Sequence, residues 1–165
     1  MSNKQNKKAK QSKKKEPLAL WMGLGTLVAV GIFSYFSSQP PASLEKAHTP
    51  EQIKQGETLF AQNCVSCHGP QGRGEDPNNA GGGVKADGMS RAPALNGLAH
   101  SWHHPTEMLF NKIKHGAEDP KTSAMPAFKE RFNDEEIVAV LNYIKYSLWP
   151  EDIQMKHAMG GKHSM

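Results

Sequence analysis

Cys64 and Cys67 are the only cysteines in a chain of 165 residues, and His68 follows the second directly, within FAQNCVSCHGPQGRG at positions 60–74. Two thiols three positions apart, with an imidazole beside them, suit four chemistries: a disulfide, a redox dithiol, half of a zinc site, or covalent attachment of a haem. A disulfide here would close too short a loop to constrain much chain, and it leaves His68 without a role. A thioredoxin-like dithiol needs a preceding strand in a βαβ context, which the surrounding sequence lacks. Zinc would need two further ligands. His48, His100, His103, His104 and His115 supply imidazoles, but no second pair stands at a matching spacing. Covalent haem attachment uses all three residues: the thiols add to the vinyl groups, and the adjacent histidine ligates the iron.

The elements that must position these residues read as helices. Thr49-Pro50-Glu51 has the form of a helix start, with threonine as cap, proline at the first helical position and an acid in the first turn. Ile53, Gly56, Leu59 and Phe60 then recur at helical spacing up to the cysteines. Residues 69–92 are rich in Gly, Asn, Asp and Pro and read as a long loop. Met108, Leu109 and Ile113 mark a second helix from Thr106 that closes on Gly116. Asn133 caps a third over 134–149, with Ile137, Val140, Leu141 and Ile144 on one face and Pro150 as its stop. No segment alternates like a strand. A body of about this size with so few large apolar residues has a thin core, and a buried cofactor would complete it.

Charge and hydropathy place this body. The net charge of +4 is concentrated in residues 1–16, which hold seven lysines and one glutamate, while the rest carries 13 Lys/Arg against 15 Asp/Glu. A lone lysine tail without interleaved arginines or aromatics reads as a topogenic signal rather than a nucleic-acid surface. It leads into residues 18–36, nineteen residues without a charge. As a helix these would span roughly 28 Å, against a bilayer core of about 30 Å. Trp21, Tyr35 and Phe36 lie near its ends, where interfacial aromatics are favoured. The expectation is an uncleaved single-pass anchor in the cytoplasmic membrane, with the lysine tail (1–17) in the cytoplasm and all that follows outside. Residues 37–50 read as a flexible linker reaching up to roughly 45 Å, residues 51–150 as the folded domain, and residues 151–165 as a disordered tail. That tail carries Met155, His157, Met159, His163 and Met165, soft and imidazole groups that would suit copper.

Taken together, C-V-S-C-H at 64–68, A-P-A-L at 92–95, M-P-A-F at 125–128 and E-E-I-V-A-V-L-N-Y-I at 135–144 resemble the class I, mitochondrial-type monohaem c-type cytochromes, and among them the membrane-anchored bacterial members. The resemblance spans roughly residues 50–150. It implies an all-α cytochrome c fold of three to four helices around one covalent haem c, here preceded by a transmembrane helix. It further implies that Cys64 and Cys67 hold the haem, that His68 is the proximal iron ligand, and that the Pro93 carbonyl accepts the ligand's Nδ1–H, with Leu95 packing the haem. Trp102 is a candidate donor to a haem propionate, and Gly56 and Phe60 would cross Val140 and Tyr143.

For the second axial ligand, Met125 is the leading candidate. Pro126 biases it away from helix and so suits a ligand loop between two helices. Met89 lacks such a brace, Met108 reads as core, and His115 and the His100, His103, His104 cluster are the rivals. Methionine opposite histidine raises the potential relative to two histidines and leaves no open position on iron. The expected function is therefore single-electron transfer, not enzymatic turnover. The expected partners are membrane-bound redox complexes, such as a quinol-oxidising complex or a terminal oxidase. The alternative is a haem subunit held permanently in an oxidase or dehydrogenase.

Overall fold

A computed structural model describes Leu44 and residues 48–160. The described residues all belong to one compact unit. The lysine tail, the expected anchor, most of the linker and residues 161–165 lie outside the described residues. Among those described, no helix is long and apolar enough to cross a membrane.

The described chain is helical, with isolated bridges and no strand. Helix α1 spans Pro50–Asn63, α2 Val65–His68, α3 Thr106–His115, α4 Asp134–Tyr143 and α5 Glu151–Ala158, with 3-10 turns at Pro70–Gly72 and His100–His103. Local chemistry sets most of the boundaries. Thr49 and Gln52 form a reciprocal capping box at the start of α1, and Asn133 and Glu136 form one at the start of α4. Each cap satisfies backbone N–H groups that the helix cannot pair, a contribution of about 1 kcal/mol. Helix α3 ends on Gly116 at φ 74°. Beyond α4 the coil widens into one π turn, Ile144–Leu148, closed by Trp149 N–H on the Ile144 carbonyl at 3.1 Å.

The core forms where α1 crosses α4. A Cβ on Gly56 would collide with the Ala139 carbonyl and come within 2.9 Å of Tyr143 Cβ, so only glycine permits this approach. One turn on, the Phe60 and Tyr143 rings meet at 5.4 Å. The crossing expected from the resemblance is present, with the Ala139 backbone as the surface Gly56 meets. Residues 137–142 are buried all round, a wider burial than the single apolar face expected, because other core residues pack on the sides of α4 that α1 leaves open. Phe110, Phe128, Phe132 and Trp149 complete the cluster.

Three expectations need correction. Residues 151–158 are not disordered: they form α5, whose His157 is bound to the body as described below. The linker is not free up to residue 50, since Leu44 packs against the core and the His48 ring stacks on Tyr146 at 3.6 Å. Met108 is 52% exposed rather than core; the inward face of α3 is carried by Leu109, Phe110 and Ile113.

Candidate functional site

Cys64 caps α2 and His68 ends it, so the three residues of the motif occupy a single turn. The cysteines are free thiols, not a disulfide. Burial, with a smaller contribution from Cys67, pushes the Cys64 thiol up to about 11. A redox dithiol needs a depressed thiol, so this environment argues against that chemistry. Among the described residues no group of three or more His, Cys, Asp or Glu is placed to hold a metal ion.

The His68 ring is held by the loop that follows it. Its Nδ1–H donates to the Pro93 carbonyl at 2.9 Å. That carbonyl is fixed because residues 92–95 are stitched to residues 72–75. Glu75 N–H donates to Ala92 O at 2.9 Å, Leu95 N–H to Gly72 O at 2.7 Å, and Ala92 N–H to the Glu75 carboxylate at 3.1 Å. Burial lowers the His68 pKa, opposed in part by the bond to Pro93. The ring is thus neutral with its proton on Nδ1, leaving the Nε2 lone pair for a metal.

His68 lines a cavity of about 270 Å³. Its wall is mostly apolar: Pro93, Leu95 and Ala99 on one segment, Leu109 and Ile113 from α3, and Leu141, Ile144 and Trp149 from the last helices. Met125 lines the same cavity. The loop carrying it is zipped to the end of α3: Ala117 N–H donates to Met125 O at 3.0 Å and Phe128 N–H to Ile113 O at 3.2 Å. A Cβ on Gly116 would sit 2.7 Å from Met125 O, so the cap of α3 is also the seat of this loop. Neither Met89 nor His115 lines the cavity, whereas His100 and His104 do. A more open depression of about 570 Å³, lined by Ile53, Glu57, Leu98, Tyr143 and others, contains none of these candidate ligands.

Trp102 stands apart from this wall. Its indole packs against His103, with ring centroids 3.5 Å apart, and lies under Lys156. The tryptophan that faces the cavity is Trp149, only 3% exposed, whose Nε1–H donates to Leu95 O at 3.0 Å. Trp102 contributes its carbonyl instead, which accepts from His157 Nδ1–H at 2.8 Å. The other nitrogen, His157 Nε2, accepts from the Thr106 hydroxyl at 2.9 Å, and that oxygen accepts from Lys145 Nζ at 3.0 Å. The carbonyl can only accept, so Nδ1 carries a proton; burial lowers the His157 pKa and so favours the neutral ring, in which Nε2 accepts from Thr106. With both ring nitrogens engaged, His157 is not free to bind copper in this fold, and His163 and Met165 lie outside the described residues.

The cavity also tests whether a haem fits. An apolar wall suits a flat macrocycle, and the imidazole of His68 and the thioether of Met125, which both line it, are donor types that bind haem iron. These residues fit the group. The family described as "Cytochrome C oxidase, cbb3-type, subunit III" matches residues 51–144, more than half of the chain. The chain belongs to that family. It is a c-type cytochrome, an electron carrier rather than an enzyme, and its family implies a covalent haem c. Among curated proteins, cytochrome c6 of Gracilaria tenuistipitata var. liui is 33% identical over 89 residues, which is 54% of this chain and 67% of that protein. The crystal structure of cytochrome CL from Methylophaga aminisulfidivorans MPT aligns over 91% of this chain and 81% of its own, at 18% identity and a TM-score of 0.46, too distant to bear on function.

Proposed function

We propose that this cytochrome carries single electrons between respiratory partners at the outer face of the cytoplasmic membrane, tethered by residues 18–36. One haem c is held through Cys64 and Cys67, with His68 and Met125 as axial ligands. The observation that carries this reading is the shared cavity: a neutral imidazole braced by Pro93 and a thioether braced by Gly116 line one apolar wall. The haem supplies the one-electron Fe(III)/Fe(II) couple. Pro93 orients the ligand, Leu95 and Trp149 exclude water from that wall, and Met125 closes the iron to substrates. The tether keeps the domain near membrane partners such as a quinol-oxidising complex or a terminal oxidase, raising their effective concentration. The test is haem retention on a denaturing gel: covalent haem stays with the wild-type chain, and Cys64→Ser with Cys67→Ser loses it. Haem lost from the wild type under denaturation contradicts the assignment.

A second reading is a haem c subunit held permanently within an oxidase, which the description of the matching family favours. Detergent extraction and size analysis separate the two. A lone species of about the 18.1 kDa chain mass plus its detergent supports the carrier, and co-migration with larger subunits supports the complex.

A further inference from the structure

Helix α5 lies beyond residues 51–144, the stretch that matches the family, yet its contacts run to the cavity wall. Ile153, Gln154 and His157 form its inward side, while Met155, Lys156 and Met159 are exposed. Ile153 packs on the core. With Pro150 it closes over Gly97, where a Cβ would lie 3.0 Å from Pro150 Cδ and 3.4 Å from Ile153 Cγ1.

Gln154 and His157 both meet Trp149. Gln154 Nε2–H donates to the Trp149 carbonyl at 2.9 Å, and the His157 ring stands edge-on to the Trp149 ring at 5.0 Å. Trp149 lines the cavity and donates its indole N–H to Leu95 O at 3.0 Å, and Leu95 lines the cavity too. A chain of contacts therefore runs from α5 through Trp149 to the wall.

His157 is what fastens the far end of α5. Its ring nitrogens reach the Trp102 carbonyl at 2.8 Å and the Thr106 hydroxyl at 2.9 Å, and Lys145 Nζ donates to that hydroxyl at 3.0 Å. These partners come from three elements: the turn at His100–His103, the start of α3 and the π turn. An isolated helix shorter than about 12–15 residues is marginal in water. Helix α5 has eight, so these contacts decide where it sits.

We propose that α5 is a clamp on the haem wall and that His157 is its positioning residue, holding Trp149 against Leu95 so that water stays out of the cavity. This rests on the haem reading above. The apolar shell around a metal site controls solvent access and so the potential. Water stabilises the ferric state, which carries one more positive charge, so a closed clamp raises the reduction potential.

The test uses the full-length holoprotein with His157→Ala and His157→Gln. The amide of glutamine keeps one donor for Trp102 and one acceptor for Thr106. In His157→Ala the ferric-to-ferrous equilibrium shifts toward ferric by about tenfold, which is about 59 mV for one electron. Hydrogen exchange of the Trp149 indole N–H, followed by NMR in the reduced protein, speeds up by about tenfold as well. His157→Gln returns both toward wild type. Wild-type potential and exchange in His157→Ala overturn the proposal. So does an equal change in both variants, since the ring's hydrogen bonds would then not be the cause. The optical haem spectrum separates the two readings: a variant that keeps the wild-type spectrum and potential removes the clamp alone, whereas a wild type without a haem spectrum removes the haem reading.

Discussion

His68 and Pro93 stand twenty-five residues apart in sequence, yet the imidazole Nδ1–H of one donates to the carbonyl of the other at 2.9 Å. This bond fixes the tautomer and raises the basicity of Nε2, which in the proposed iron ligand would favour the more highly charged metal. Pro93→Ala frees the backbone that aims the carbonyl. The expected result is a reduction potential higher by a few tens of millivolts, on a scale where about 59 mV is tenfold for one electron. An equilibrium redox titration reads it, and a potential unchanged or lower contradicts the positioning role.

Gly56→Ala should destabilise the domain without touching the haem spectrum. Alanine is favoured over glycine in a helix by about 0.5–1 kcal/mol. The new methyl, however, meets the Ala139 carbonyl, which is backbone and cannot rotate aside. Overpacking costs about 1–3 kcal/mol, so the net effect is loss. The denaturant midpoint measures it, and a midpoint at or above wild type sinks the crossing as described.

The pH dependence of stability should carry the signature of His157. Its folded pKa is lowered, first by burial and further by Lys145, with the bond to Trp102 in opposition. A histidine held neutral in the fold binds fewer protons there than in the unfolded chain, so stability rises with pH. The contribution is complete above the ordinary value of 6.5 and is lost as pH falls from there through the lowered folded value. Unfolding curves at several pH values should show this acid-side loss in the wild type and a flatter profile in His157→Ala. Equal profiles would remove His157 as the latch of α5.

These cases also show what a linear sequence reveals. The helix caps at Thr49 and Asn133 were legible because each stands beside the helix it starts; the return bonds from Gln52 and Glu136 that complete the boxes were not read. The seat of Met125 was legible because Pro126 marks a non-helical segment beside it. Trp149, which lines the cavity, was not singled out in the sequence. Its inward direction depends on the π turn at 144–148, where one extra residue per turn rotates the chain beyond what a 3.6-residue period predicts. Helix α5 was missed because Pro150 reads as a stop, though it equally suits the position just ahead of a helix. What holds α5 is long-range: His157 meets residues fifty-one and fifty-five positions away. No local pattern encodes that.

The central claim is that Met125 completes the iron site opposite His68. The direct measurement is the optical spectrum of the oxidised, purified full-length protein beside Met125→Ala. The account predicts a weak thioether-to-iron band at the far-red edge in the wild type, absent from the variant, which in its reduced form then binds carbon monoxide. A wild type without that band, or a variant that keeps it, contradicts the assignment and returns the second ligand to His100 or His104.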